Sequence, residues 1–105
     1  MAQEGSLGIS SGLLSVGAAQ NIIAQNCVYL GATLIGGTAA GSLAIYDNAS
    51  AASGTQVDQL NIKAQSAAGD NSVYHNFDGV ICTNGIRATL AGTAAKAIIW
   101  YQIRS

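Results

Sequence analysis

The stretch that decides the fold is Cys27–Asp47, which reads CVYLGATLIGGTAAGSLAIYD. Apolar residues occupy alternate positions in the two segments that flank the central run of small residues, Gly36–Gly41. A period of two is typical of a β-strand with one buried face. The centre is rich in glycine and too short for a crossover helix, so the stretch predicts an antiparallel hairpin. The alternation groups these residues on one face of each strand: Val28, Leu30, Ala32 and Leu34, then Leu43 and Ile45.

Turn signals divide the second half of the chain. Asp78–Gly79 and Asn84–Gly85 are typical two-residue turns, and they predict that new strands begin at Val80 and Ile86. In the strand after the second turn, the side chains predicted to point inward are those of Ile86, Ala88 and Leu90.

Residues 57–68 are the place where a helix competes with a strand. Val57, Leu60 and Ala64 fit a helical stripe. The alternation of Leu60, Ile62 and Ala64 fits a strand instead, and it uses Ile62, which the helix would expose. We therefore predict a strand.

The last predicted strand, residues 96–103, is apolar on both faces. One face carries Ile99, Tyr101 and Ile103, and the other carries Ile98 and Trp100. A strand that is apolar on both sides is typically buried on both sides. We expect another subunit to supply the second cover, with the N-terminal segment as the alternative.

The whole pattern indicates an all-β protein. About seven or eight short strands separated by regular turn signals are typical of an antiparallel β-sandwich or barrel. We assign residues 27–105 to this domain. Residues 1–26 are predicted to form either short strands or an extended arm that orders on a neighbour, because serine and glycine separate their apolar side chains.

Charge is scarce in this chain of 105 residues. Asp, Glu, Lys and Arg make up 9% of the sequence and the net charge is −1, whereas an ordinary soluble domain is about 25% charged. A surface of neutral polar and small residues is easily desolvated, which favours association. Without a signal-peptide pattern or an apolar run of about 18 residues, we expect a soluble protein made in the cytoplasm.

Residues that carry chemistry are few and scattered. His75, Asp78 and Cys82 lie close in sequence, but a single histidine beside a turn-forming aspartate is a poor ligand set for a metal. The chain lacks a Gly-x-Ser-x-Gly elbow, a phosphate loop and a basic run. We therefore predict no catalytic, cofactor-binding or metal-ligating residue, and we expect neither an enzyme nor a nucleic-acid-binding protein.

The cysteines and the aromatic residues each allow two interpretations. Cys27 and Cys82 form either a disulfide or two buried thiols, and buried thiols are favoured. The large aromatic side chains form either a sugar-stacking platform or part of a core or interface, and the second is favoured. These aromatic residues are Tyr29, Tyr46, Tyr74, Tyr101 and Trp100.

Several segments resemble those of small structural proteins encoded by tailed bacteriophages. The matching features are a hairpin that ends Leu-x-Ile-x-Asp at Leu43–Asp47, a small-residue loop that ends at Gly54, a Gly-Ile strand start at Gly85–Ile86, and an aromatic C-terminal strand at Ile98–Tyr101. The resemblance covers residues 27–103. It implies a jelly-roll-like β-sandwich, usually a homotrimer, that is carried on the virion.

Within that class, the resemblance favours a capsid decoration (cement) protein. Such a protein bridges major capsid subunits and stabilises the shell, so the implied partner is the major capsid protein. The predicted interface residues lie in the N-terminal segment and the last strand: Leu7, Ile9, Leu13, Leu14, Val16, Ile98 and Trp100. The alternatives are a tail, fibre or head-spike component with a glycan-binding tip, and a free-standing carbohydrate-binding β-sandwich.

Overall fold

The computed structural model describes residues 8–16, 20–51, 53–67, 69 and 71–104, and these residues form strands, turns and loops without a helix. In chain order the strands are β1 (Ile9–Ser10), β2 (Leu14–Ser15), β3 (Gln20–Ile23), β4 (Cys27–Ile35), β5 (Gly41–Asp47), β6 (Thr55–Ile62), β7 (Ser72–Cys82), β8 (Ile86–Ala91) and β9 (Lys96–Ile103). Where a helix and a strand competed, the predicted strand is confirmed as far as Ile62, at which β6 ends, and Ala64 is exposed beyond it.

The strands form two antiparallel sheets. The five-stranded sheet has the order β1-β9-β4-β7, with β2 also paired to β9, and the four-stranded sheet has the order β3-β8-β5-β6. Because β1 and β2 lie beside successive stretches of β9, they share one strand position. Two sheets with four positions each, connected in this order, have the topology of a jelly roll. The prediction of an all-β, jelly-roll-like antiparallel sandwich is confirmed.

The predicted hairpin at the centre of Cys27–Asp47 is wrong, although both strands exist. β4 pairs with β7 and β9, whereas β5 pairs with β6 and β8 in the other sheet. The connection crosses between the sheets because its backbone is held by distant residues: Gly36 donates its N–H to the Asn71 carbonyl at 2.9 Å, and Thr38 donates to the Thr93 carbonyl at 3.1 Å. A Cβ at Gly37 would collide with that Thr93 carbonyl, so the crossing needs glycine.

A β-bulge in β4 changes which side chains share a face. The register shifts between Tyr29 and Gly31, so that Tyr29 lies on the same side as Ala32 and is fully buried. Leu30 is the extra residue, and its side chain lies on the opposite side, against Trp100 and Gly8. The predicted single face from Val28 to Leu34 is therefore wrong: the alternation is interrupted by one residue.

The predicted turn at Asp78–Gly79 is also absent. β7 continues through it from Ser72 to Cys82, and Phe77–Gly79 form the bulge that lies opposite Leu30. Gly79 has a φ of +140°, a conformation that favours glycine, so the glycine is used in the bulge and does not mark a hairpin turn. The predicted strand start at Ile86 is confirmed, but Asn84–Gly85 do not form a two-residue hairpin turn. They lie in a connection that crosses from β7 in one sheet to β8 in the other.

The core lies between the sheets and is built from aliphatic side chains, two cysteines and one tyrosine. Its buried members are Cys27, Tyr29, Ala32, Leu34, Leu43, Ile45, Leu60, Ile62, Cys82, Ile86, Ala88, Leu90, Ala95, Ala97 and Ile99. The predicted inward residues of β5 and β8 are all among them. The described part of the N-terminal segment contributes to both sheets, because β1 and β2 pair with β9 and β3 pairs with β8.

Candidate interaction surface

The five-stranded sheet has a second face that points away from the core. Residues opposite each other on neighbouring strands share a face, so the register arranges these side chains in rows. Thr33, for example, lies between Tyr74 on β7 and Ile98 on β9. We call this side the outer face, and its larger side chains are Val28, Leu30, Thr33, Ile35, Tyr74, Ile81, Ile98 and Trp100.

The outer face is mostly apolar and only partly covered. Tyr74 and Ile81 are 63% and 55% exposed, and Ile98 and Trp100 are half-buried. Lys96, opposite Ile35, places a charge at one end of the face. Contiguous apolar surface of this kind is typical of interaction sites in soluble domains.

A pocket of about 260 Å³ lies within the outer face. Leu30, Tyr74 and Trp100 contribute apolar and aromatic surface to it, and Asn76 contributes an amide. Gly31 lies in the lining as well, and a Cβ at this position would collide with the His75 carbonyl behind it. The pocket is suited to an apolar side chain or a flat ring with a polar edge.

The corresponding face of the four-stranded sheet is chemically different. Its rows contain small or neutral polar side chains together with one arginine and one tyrosine: Ser42, Ala44, Tyr46, Gln56, Gln59, Asn61, Arg87, Thr89 and Ala91. The Gln56 amide donates to Gln59 at 2.7 Å, and the Gln59 amide donates to Asn61 at 3.1 Å. This face is therefore polar, whereas the outer face of the other sheet is mostly apolar. Two polar atoms on it, Arg87 Nε and Thr89 Oγ1, are buried without a hydrogen-bond partner among the described residues.

The structure separates the predicted interface residues into groups. Ile98 and Trp100 lie on the outer face. Ile9, Leu13 and Val16 are exposed, with Leu13 the most exposed at 60%.

The remaining two predicted interface residues are Leu14 and Leu7. Leu14 is half-buried and packs against the core from β2, so it has a structural role, and an interface role for it stays a prediction. Its backbone pairs with Ala97, and successive side chains in an extended segment point to opposite sides. The prediction at Leu7 falls outside the described residues.

A polar cluster that the sequence did not reveal joins the two sheets. The Tyr29 hydroxyl on β4 donates to Asp58 Oδ2 on β6 at 2.6 Å, and His75 Nδ1 on β7 lies 2.9 Å from Asp58 Oδ1. The Asp58 side chain is only 7% exposed, and its Oδ1 also accepts the Gln59 N–H at 2.8 Å. Burial, the hydrogen bond to Asp58 and the charge of that carboxylate raise the pKa of Tyr29.

This cluster links the two sheets. Asp58 is the shared acceptor. The ring centroids of Tyr29 and His75 lie 5.8 and 6.0 Å from the ring centroid of Phe77. Every polar group named here has a partner, and a fully satisfied buried network stabilises a specific packing. No local sequence pattern predicts this cluster, because its three polar residues come from three strands in two sheets.

The two cysteines lie opposite each other on β4 and β7. Both are free and fully buried, in agreement with the favoured interpretation. Burial, with a smaller effect of the Asp47 charge, raises the pKa of the Cys27 thiol to about 11. Burial also raises the pKa of Cys82 to about 12. Thiols with such values are poor nucleophiles at neutral pH.

Within the described ranges, no three His, Cys, Asp or Glu side chains come together as metal ligands. A search of the same residues finds no helix with the length and hydropathy needed to cross a membrane. Comparisons with protein-family models, curated proteins and solved structures found no match for this chain. Function is therefore inferred from the fold and from the outer face.

Proposed function

We propose that this chain is a structural protein of a tailed-phage virion, and that it acts as a capsid decoration protein. The proposal is supported by the resemblance of residues 27–103 to such proteins and by the jelly-roll topology, which recurs in viral capsid domains. The low charge of the chain is also typical of a protein that works in an assembly and not alone.

The observation that carries the proposal is the outer face. Ile98, Trp100 and Tyr74 form one apolar surface that a single chain leaves partly uncovered. Burying aromatic and aliphatic side chains is the main source of binding free energy at protein interfaces. We assign this face to contacts within a homo-oligomer, for which the resemblance favours a trimer, and the exposed Ile9 and Leu13 to contacts with the major capsid protein.

In this role the protein stabilises the shell by mass action. A protein that binds the assembled lattice but not its separate subunits lowers the free energy of the assembled state. Neutral polar side chains cost little to desolvate compared with charges, so a chain with 9% charged residues is suited to bridging neighbouring subunits.

The test is the number of copies in purified particles of the phage that encodes the chain. Quantitative mass spectrometry measures this number against the major capsid protein. A copy number comparable with that of the major capsid protein is expected. A few copies per particle would place the protein in the tail or at a vertex, and its absence from particles would overturn the virion proposal.

A second candidate function is glycan binding, and the pocket favours it. Trp100 and Tyr74 can present aromatic faces to a sugar ring, and Asn76 can hydrogen-bond a hydroxyl. A glycan array with the wild-type chain and Trp100→Ala tests this function, with Tyr46→Ala on the polar face of the other sheet as the control. A decoration protein shows no binding. Binding that Trp100→Ala abolishes and Tyr46→Ala retains would establish the glycan site.

A further inference from the structure

The edge strand β7 leaves one side of its backbone unpaired. β7 is the last strand of its sheet, and no described strand is hydrogen-bonded to it on the side away from β4. It is 11 residues long. A long edge strand presents a row of free N–H and C=O groups and is a template for pairing with another strand.

Hydrogen bonds at the end of β4 show which groups face the open side. In an antiparallel pair, hydrogen-bonded and non-hydrogen-bonded residue pairs alternate. Gly36 donates its N–H to the Asn71 carbonyl, one step beyond the last pair of the β4–β7 ladder. From Asn71 onward, every second residue of the strand has the same orientation, so Val73 and His75 also direct their backbone groups toward β4. Ser72, Tyr74 and Asn76 therefore direct theirs to the open edge.

Hydrogen bonds on the other side of the sheet lead to the same assignment. Ser11 donates its N–H to the Ile99 carbonyl at 2.8 Å, and the Ile99 N–H donates to Ser11 Oγ at 2.9 Å, so Ile99 on β9 faces away from β4. Ala32, opposite Ile99 on β4, then directs its backbone groups toward β7, where its partner is His75. The neighbour of His75, Tyr74, again faces the open edge.

We propose that residues 72–76 pair with the same segment of a second copy of this chain, antiparallel and about a two-fold axis at Tyr74. The Tyr74 N–H of each copy donates to the Tyr74 carbonyl of the other, and Ser72 of each copy pairs with Asn76 of the other. The Tyr74 and Asn76 N–H groups of the two copies supply about four backbone hydrogen bonds. Two more form when the Ser72 N–H of each copy exchanges its present acceptor, Asn71 Oδ1 at 2.8 Å, for the Asn76 carbonyl of the other copy. The pairing partner is a second copy because a two-fold axis at Tyr74 places each outward-facing backbone donor of one copy opposite an outward-facing acceptor of the other.

The side chains of this segment also favour self-pairing. Tyr74, which is 63% exposed, meets its own counterpart in an aromatic cross-strand pair. Residues 72–77 contain no Lys, Arg, Asp, Glu or Pro, which are the residues that usually protect an edge strand from pairing. Asp78 falls in the bulge, beyond the segment that pairs.

This contact goes beyond the proposed function and does not depend on it. A two-fold contact is isologous, so it is distinct from a three-fold contact through the outer face. In a trimeric protein it joins one trimer to another. It also continues the row of Tyr74, Thr33 and Ile98 across both copies, which enlarges the apolar surface available to a partner.

The first test places a charge at the two-fold axis. Tyr74→Lys brings two like charges opposite each other, and we expect the dissociation constant of the two-fold contact to rise about tenfold or more. Asn61→Lys is the control, since Asn61 is exposed on the polar face of the other sheet and lies outside both the paired segment and the outer face. Sedimentation velocity over a range of concentrations measures both variants. An equal effect of the two substitutions, or none, would overturn the proposal.

The second test is a disulfide between copies. Cα atoms of a hydrogen-bonded antiparallel pair are about 5.5 Å apart, within the range that a disulfide spans. Mild oxidation of Tyr74→Cys is expected to give a covalent dimer, whereas Ile81→Cys gives none. A trimer without the Tyr74→Cys cross-link would overturn the edge contact and leave the virion proposal intact. A Tyr74→Cys cross-link in a protein that is absent from virions would support the edge contact and overturn the virion proposal.

Discussion

Single residues set the position of the bulge that separates the core face from the outer face. Gly31 has a φ of +151°, and a Cβ there would collide with the His75 carbonyl on β7. The glycine therefore allows the single-residue shift by which Tyr29 and Ala32, three positions apart, both point into the core. In the sequence this glycine is one of 13, and nothing local distinguishes it from a glycine in a turn.

We predict that Gly31→Ala lowers the free energy of unfolding by at least about 2 kcal/mol, because it adds a backbone clash to an unfavourable φ. Gly12→Ala is the matched control: Gly12 has a φ of +80° but no atom within 4 Å of its Cβ position. The control should cost about 1 kcal/mol. Urea denaturation of both variants measures the difference, and equal losses would show that the clash is relieved by a small backbone movement.

At the scale of elements, β1 and β2 act as one interrupted strand. They pair with successive parts of β9, and Leu14 on β2 packs against the core. Its neighbour Leu13 is 60% exposed. Deleting this segment would uncover the edge of β9 and part of the core, so a loss of capsid attachment after deletion would not distinguish a contact role from a folding role.

Two adjacent leucines separate these roles. Leu14→Ala is expected to lower the free energy of unfolding by about 2 kcal/mol, because it removes packed methyl groups. Leu13→Ala should change it by less than about 0.5 kcal/mol, because the side chain is on the surface. Chemical denaturation of the unassembled protein measures both values, and binding to particles that lack the protein is measured in parallel. Stability losses of similar size would contradict the assignment of Leu13 to the surface.

At the scale of the whole molecule, the two sheets are held together by an apolar core and one polar link. Asp58 from the four-stranded sheet accepts hydrogen bonds from Tyr29 and His75 of the five-stranded sheet. Cys27 and Cys82 lie in the core beside Tyr29. Tyr29 and both cysteines are buried in their neutral form, so folding opposes their ionisation.

Stability should therefore fall at alkaline pH. The pKa of Cys27 is raised from 9.0 to about 11 and that of Cys82 from 9.0 to about 12, so the unfolded chain loses these protons first. The contribution is fully present below about pH 9 and is lost above it, at about 1.4 kcal/mol per pH unit for each thiol. The raised pKa of Tyr29 acts in the same direction.

Urea unfolding under reducing conditions, from about pH 7 to about pH 10.5, measures this dependence. The double variant Cys27→Ala/Cys82→Ala starts from a lower stability because it leaves cavities, but its decline with pH should be shallower. An unchanged slope in the double variant would show that other groups cause the alkaline loss.

The class of fold and most of the strands follow from local sequence patterns. Alternation at Leu43 and Ile45, and at Ile86, Ala88 and Leu90, identified the buried sides of β5 and β8, because strand periodicity is a local property. It also identified Ile98 and Trp100 as apolar residues on the side of β9 opposite Ile99.

The pairing of the strands does not follow from local patterns and depends on the folded chain. The sequence placed β4 and β5 in a hairpin, but they belong to different sheets because the connecting residues bond to loops far away in the chain. The Tyr29–Asp58–His75 cluster and the open edge at Tyr74 depend on the same non-local register. Periodicity fixes which side of a strand is apolar, whereas the partner strand is chosen by the packing of the whole chain.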